Sequence, residues 1–262
     1  MKKLLFLGDV VGAPGREILL RELPRLRAEH ALDWVVVNGE NSAGGSGVTR
    51  ILADEFVKAG ADVVTLGDHV WDQRGFEIEI ATAPKICRPA NLPAQCPGKT
   101  NIITTAPDGS RLLVFTVLGR QFMRQHVESP FDTADRLLRE LAGQYDFALV
   151  EIHAEATSEK IALGWYLDGR AALVVGTHTH VATADTRVLP RGTAYQTDAG
   201  MCGPHEGVIG REVQPVLAAF LDGMPRRFPV AKSDCRLNGV LVTLGSDGLA
   251  TAAERFELFD KS

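Results

Sequence analysis

Short apolar runs alternate with helix-like patterns along this chain, and that alternation constrains the fold more than any other feature. Residues 4–7, 34–37, 63–66, 112–117, 148–152 and 173–175 read as buried strands. Each is short, rich in Leu or β-branched residues, and bounded by Gly, Asp or Asn. Helical signals lie between several of them. Ser129-Pro130-Phe131-Asp132 combines an N-cap, a Pro at the first helical position and an early acid. Phe131, Ala134, Leu138 and Leu141 come next at helical spacing, and Gly143 ends the run. Thr49 is placed to cap a second helix that buries Leu52 and Phe56 and stops at Gly60. A third pattern starts at Pro14 and is expected to kink at Pro24. Strand–helix alternation of this kind predicts an α/β fold, with a mostly parallel sheet covered by helices on both faces. Residues 187–189, 193–196, 237–244 and 250–256 are expected to be strands of a second, more antiparallel sheet, giving a layered sandwich. No repeat, low-complexity tract or linker interrupts the chain, so residues 1–262 read as one domain.

The formal net charge of −5 argues against a nucleic-acid polymer as partner, because backbone binding needs basic patches. A small nucleotide stays open, since a bound metal can reverse the charge locally. The four cysteines, Cys87, Cys96, Cys202 and Cys235, include no C-x-x-C pair and are expected to be free thiols in a reducing compartment. The apolar start at residues 4–7 stops at Gly8-Asp9, too short for a signal peptide. No stretch approaches the roughly 20 apolar residues of a membrane span. The expectation is a cytoplasmic protein without a membrane partner.

The residues just beyond each strand carry the chemistry. Gly8-Asp9 comes after the first, Asn38-Gly39-Glu40-Asn41 after the second and Gly67-Asp68-His69 after the third. Residues 148–152 run into His153, and residues 173–175 into Gly176-Thr177-His178-Thr179-His180. In open parallel sheets ligands bind at the carboxyl ends of strands. Taken singly, a Gly-Asp is a turn, Asn38-Gly39 a tight turn and His153 a half-buried histidine. Their recurrence at successive strand ends points instead to a metal site. In an extended segment His178 and His180 would face the same way and reach neighbouring ions.

Imidazole with carboxylate suits iron, manganese, zinc or nickel better than magnesium or calcium alone. The donors are too many for one ion and enough for two, with Glu40 as the natural bridge. Two such ions about 4 Å apart suit phosphoester hydrolysis. They polarise the phosphoryl oxygens and generate a hydroxide between them for in-line attack. His69 is the candidate acid for the leaving alkoxide, with a supporting prop as the plainer role. Asn41 and His69 are also candidate substrate contacts. His30 falls at a helix end, His126 and His205 in loops, and Trp71 reads as core packing. Arg120 is equally a phosphate contact or a plain surface arginine. Residues 200–204 read as an irregular loop near the site.

These blocks are ordered in a known way. Gly8-Asp9-Val10-Val11-Gly12, Asn38-Gly39-Glu40-Asn41-Ser42-Ala43-Gly44-Gly45 and Thr65-Leu66-Gly67-Asp68-His69-Val70-Trp71-Asp72 resemble the YmdB-type family of calcineurin-like metallophosphoesterases. So do His153-Ala154-Glu155-Ala156-Thr157-Ser158-Glu159-Lys160, Gly176-Thr177-His178-Thr179-His180-Val181 and Tyr195-Gln196-Thr197-Asp198-Ala199-Gly200. The resemblance spans nearly the whole chain. It implies a four-layer α/β/β/α sandwich and a di-iron phosphodiesterase acting on 2′,3′-cyclic nucleotides, and in some members on 3′,5′-cyclic AMP. It further implies one metal held by Asp9, Glu40, Asn41 and His180, another held by Glu40, Asp68, His153 and His178, and His69 as proton donor.

One position departs from the family pattern, which carries Asn where this chain has Asp68. An added carboxylate at that position is expected to tighten metal retention and weaken attraction for a phosphate. Two other readings remain open: a phosphomonoesterase or nucleotidase using the same metals, and a regulatory protein whose metal site senses a nucleotide without turnover. A homo-oligomer is compatible with everything above.

Overall fold

The apolar runs form strands because successive side chains alternate between two buried faces. A computed structural model describes residues 1–260. Its strands are β1 (Lys2–Leu7), β2 (Asp9–Val10), β3 (Trp34–Asn38), β4 (Val63–Thr65), β5 (Ile86–Cys87), β6 (Ile102–Thr105) and β7 (Arg111–Leu118). They continue as β8 (Phe147–His153), β9 (Leu173–Thr177), β10 (Arg187–Val188), β11 (Ala194–Gln196), β12 (Met201–Pro204), β13 (Cys235–Leu244) and β14 (Ala250–Phe259). The α-helices are α1 (Gly12–Glu29), α2 (Arg50–Ala59), α3 (Phe76–Glu79), α4 (Pro130–Glu140), α5 (Thr157–Tyr166) and α6 (Val213–Asp222).

The strands make two sheets. An eight-stranded sheet runs β2-β12-β13-β1-β3-β4-β5, with β14 also paired to β13, and a six-stranded sheet runs β10-β11-β9-β8-β7-β6. Within them β1-β3-β4-β5 and β7-β8-β9-β11 are parallel. Antiparallel β13, β6 and β10 extend these parallel cores.

Strand alternation distributes the core. Leu4 and Phe6 of β1 join Trp34 and Val36 of β3 in a cluster shared with Leu112, Val114, Leu149 and Leu173 of the other sheet. Their neighbours Leu5, Leu7, Val35 and Val37 pack instead against Ile18, Leu19 and Leu23 of α1 and Phe56 of α2. Leu113, Phe115 and Val150 pack against Leu137 and Leu138 of α4 and Leu163 of α5. Each such side chain contributes about 1.5–3 kcal/mol when fully buried.

The local stop and start signals act as expected in two helices. Ser129 Oγ accepts from Asp132 N at 3.3 Å, and Thr49 Oγ1 accepts from Leu52 N at 3.4 Å. A cap of this kind is worth about 1 kcal/mol. Gly60 ends α2 at φ 122°. Leu52 is only half-buried, so Phe56 and Ala53 carry that helix's packing.

Helix α1 is continuous through Pro24, with Leu19, Leu23 and Leu26 buried on either side of it. Two expectations need correction. The last four strand segments do not form one sheet. Residues 187–196 extend the six-stranded sheet from β9, while β13 and β14 extend the eight-stranded sheet from the free edge of β1. Residues 201–204 are not an irregular loop but strand β12, wedged between β2 and β13. Among the described residues no helix is long and apolar enough to cross a membrane. All four cysteines are free.

Candidate metal centre

The strand ends meet around His153, the last residue of β8. Its Nε2 lies 2.9 Å from Asp68 Oδ1, 3.1 Å from Glu40 Oε1 and 3.1 Å from His178 Nδ1. One donor atom from each of Glu40, Asp68, His153 and His178 falls within 4.8 Å of the others. Close approach requires glycine at residue 67, because a Cβ there would overlap Glu40 Oε2 and His153 Nε2.

A second group adjoins the first through Glu40. Asn41 Nδ2 is 3.2 Å from both Glu40 Oε1 and His180 Nε2. Asp9 is fully buried. Its Oδ2 accepts from the His178 backbone N–H at 3.2 Å, and its Oδ1 lies 3.9 Å from His153 Nδ1. That Oδ1 has no hydrogen-bond partner. A buried, unpartnered carboxylate oxygen is costly unless a cation stands beside it. Together with an imidazole–carboxylate donor set, this fits a transition metal.

The His-Thr-His segment reaches the site by a different route from the one its spacing suggested. Strand β9 ends at Thr177, and His178 and His180 have φ of 95° and 65°. Both rings are therefore aimed by a left-handed turn, not by extended alternation. Such backbone costs about 1–3 kcal/mol per residue and persists only where its surroundings hold it. Asp198 supplies that hold. It accepts from Thr179 N at 3.1 Å and Thr179 Oγ1 at 2.6 Å, and pairs with the buried Lys160 Nζ at 2.6 Å.

Without a cation the charges compete. Burial pushes Asp9 well above the usual carboxyl range. Burial acts in the same sense on Asp68, but hydrogen bonds from His153 and His178 outweigh it and hold that carboxyl far below its usual value. Burial opposes charge on His153, yet Glu40, Asp68 and Asp9 overcome it and raise that imidazole well above its usual range. Desolvation pushes His180 down to about 4, leaving a neutral ring with a lone pair.

The group opens into a cavity of about 330 Å³ lined by Glu40, Asn41, His69, His178, His180 and Arg211. His69 Nδ1 lies 2.7 Å from Asp72 Oδ2, which also accepts from Ser46 Oγ. A carboxylate only accepts, so Nδ1 carries the proton and Nε2 is the free nitrogen. Trp71 is half-buried against the core. His205 lines a neighbouring cavity beside His180, Arg120 borders a different one with Glu159, and His126 is exposed.

Several supporting residues escaped the sequence reading. Asp72 was signalled by its spacing of three from His69 in one turn. Glu151 is a charged residue inside the apolar run of β8, two positions from His153 and so on the same strand face. Arg211 carried no local signal, and Lys160 and Asp198 stood in the family-like blocks with nothing to mark a role of their own.

Comparison with known proteins finds relatives along nearly the whole chain. The family model described as YmdB-like protein matches residues 5–256. The 2′,3′-cyclic-nucleotide 2′-phosphodiesterase of Bacillus subtilis is 43% identical over 242 residues, covering 92% of this chain and 91% of that protein. A putative phosphatase/phosphodiesterase of Mycoplasma pneumoniae is 36% identical over 247 residues, covering 91% and 86%. Among solved structures, a hypothetical protein from Thermus thermophilus superposes with TM-score 0.91 at 41% identity, covering 98% of this chain and 99% of its own. A Mycoplasma pneumoniae protein described as a novel phosphatase superposes with TM-score 0.90 at 31% identity, covering 98% and 93%. This chain belongs to the YmdB-like protein family.

Proposed function

We propose that this chain is a metal-dependent phosphodiesterase that opens 2′,3′-cyclic nucleotides. The observation that carries this reading is the convergence of Glu40, Asp68, His153 and His178 within 4.8 Å. They stand at a cavity of about 330 Å³, within the roughly 300–1,000 Å³ range of small-molecule sites. The named activity of the Bacillus subtilis relative supports the same substrate class. Asp9, Glu40, Asn41 and His180 would hold one ion, and Glu40, Asp68, His153 and His178 the other. To ligate, Asn41 would present its amide oxygen in place of the Nδ2 now facing Glu40 and His180. By family resemblance the ions are iron. When bound they supply Lewis acidity at the phosphoryl oxygens and an activated water.

The chain's own side chains do the rest. Glu40 and Asn41 form the floor against which the phosphoryl group is oriented. His69, held through Nδ1–H by Asp72, would in its imidazolium form give the Nε2 proton to the departing ribose oxygen as the bond from phosphorus breaks. Water adds to phosphorus and the product is a nucleoside monophosphate. The architecture proposed for this site is the four-layer α/β/β/α sandwich. Its support is the three apolar clusters, one shared by both sheets and one between each sheet and its helices.

The reading is tested on protein purified without chelators. Metal analysis is expected to find two transition-metal ions per chain, and incubation with 2′,3′-cyclic AMP is expected to release a monophosphate. No bound metal after supplementation would remove its basis. A second reading, phosphomonoesterase, comes from the description of the Mycoplasma pneumoniae structure as a phosphatase. Faster cleavage of p-nitrophenyl phosphate than of bis-p-nitrophenyl phosphate would favour it. Binding of cyclic nucleotide without turnover would favour a sensor.

A further inference from the structure

Glu151 lies at the centre of β8, fully buried, and the chemistry proposed above makes no use of it. Three donors converge on it. Asn38 Nδ2 donates to Oε1 at 2.6 Å, Thr177 Oγ1 donates to Oε1 at 2.7 Å, and Thr116 Oγ1 donates to Oε2 at 2.9 Å. Two of these donors continue to candidate metal ligands. The other end of the Asn38 amide, Oδ1, accepts from the Glu40 backbone N–H at 3.0 Å and so fixes the turn that presents Glu40. Thr177 Oγ1 lies 2.8 Å from His153 Nδ1.

A threonine hydroxyl has one proton. Since Thr177 gives it to Glu151, its oxygen accepts from His153 Nδ1–H. His153 is then tied through Nδ1, and Nε2 is the nitrogen turned to Glu40, Asp68 and His178. Asn38 belongs to the eight-stranded sheet, whereas Thr177 and Glu151 belong to the six-stranded one. One buried carboxylate thereby sets a ligand from each sheet. Partners behind metal-bound histidines commonly change metal affinity by about 10- to 100-fold.

We propose that Glu151 is a positioning residue that orients Glu40 through Asn38 and His153 through Thr177, and so sets the affinity of the centre for metal. The inference rests on the metal reading of the cluster. Its distinguishing mark is that Glu151 and Thr177 act in series on the same imidazole.

The test titrates metal-free protein with Zn²⁺ alone, by calorimetry, for wild type, Glu151→Gln, Thr177→Val, Thr177→Ser and the double variant Glu151→Gln/Thr177→Val. Both Glu151→Gln and Thr177→Val are expected to weaken Zn²⁺ binding by about 10- to 100-fold. Thr177→Ser, which keeps the hydroxyl, is expected to stay within about threefold of wild type. The double variant is expected to lose much less than the product of the single losses. Long-range ¹H–¹⁵N spectra of the diamagnetic Zn²⁺-loaded protein are expected to show His153 protonated at Nδ1 in wild type and Thr177→Ser. Thr177→Val keeps the test alive should Glu151→Gln fail to fold. Unchanged Zn²⁺ affinity in folded Thr177→Val would overturn the proposal, as would fully multiplicative losses. Failure of wild type itself to bind Zn²⁺ would instead overturn the metal reading and this one with it.

Discussion

The Asp72 carboxylate accepts from His69 Nδ1–H at 2.7 Å, so a proton donated in catalysis would be the second one, carried on Nε2 of the imidazolium. General-acid catalysis by a positioned side chain contributes about 10²–10⁴-fold. His69→Ala is therefore expected to lower turnover of 2′,3′-cyclic AMP by that factor with metal content unchanged. Bis-p-nitrophenyl phosphate should lose less than about tenfold, because nitrophenolate leaves without a proton. Asp72→Asn should fall between wild type and His69→Ala. Equal losses on both substrates would show that His69 is a prop and not the acid.

Asp68 adds a carboxylate against His153 and His178, at 2.9 and 3.3 Å. With two divalent ions, three carboxylates leave a net charge of about +1, where an asparagine would leave about +2. A unit charge about 4 Å away is worth roughly 4 kcal/mol at an effective dielectric of about 20. Even a third of that is about tenfold in rate. Asp68→Asn is expected to raise phosphodiesterase turnover by up to about tenfold and to weaken metal binding. Turnover measured at saturating metal decides it, and an unchanged or lower value contradicts the charge argument.

Metal-free protein is expected to lose stability as pH rises above about 6.5, the ordinary histidine value. His153 is raised above that value by Glu40, Asp68 and Asp9 against the effect of burial, and Asp9 is raised by burial. His153 holds more protons folded than unfolded above that value, so unfolding free energy falls with pH there, and Asp9 acts in the same sense from the ordinary carboxyl value upward. Between about 4 and about 6.5, His180 acts in the opposite sense, because its folded value is depressed to about 4. Bound metal displaces the His153 proton, so loaded protein should lack the alkaline decline. Urea midpoints with and without metal across pH 5–9 check this. A metal-free midpoint that rises above pH 6.5 would contradict the assignment.

Lys160 and Asp198 form a buried pair at 2.6 Å, and Asp198 also grips Thr179 between the two histidines of the turn. Removing one partner of such a pair costs about 3–5 kcal/mol, because a charge is left alone in a poor solvent. Lys160→Met is expected to lose that amount in urea denaturation. Adding Asp198→Asn should recover much of it, since the amide is neutral and its oxygen still accepts from Thr179. No recovery would place the defect in packing and not in charge.

How much was legible depended on how local each determinant is. The β1, β3, β4, β8 and β9 strands were readable to within one or two residues, because a buried strand needs an apolar run wherever it lies. The caps at Thr49 and Ser129 were readable because they use side chains three residues from their donors. The pairing of β13 with β1 was illegible, since residues 239 and 7 carry no pattern that refers to each other.

The site divides along the same line. The sequence by itself determined that Asp9, Glu40, Asn41, Asp68, His153, His178 and His180 stand just after or at the ends of buried runs. Strand termination is a local event, marked by glycine and polar residues within one or two positions. Only the tertiary structure decided that Glu40, Asp68 and His178 converge on His153 and that a left-handed turn, not an extended strand, aims His178 and His180. It also revealed Glu151 and Asp198 behind them. Those facts depend on which strands become neighbours and on which buried polar groups must then satisfy one another, and both are settled by packing across the whole chain.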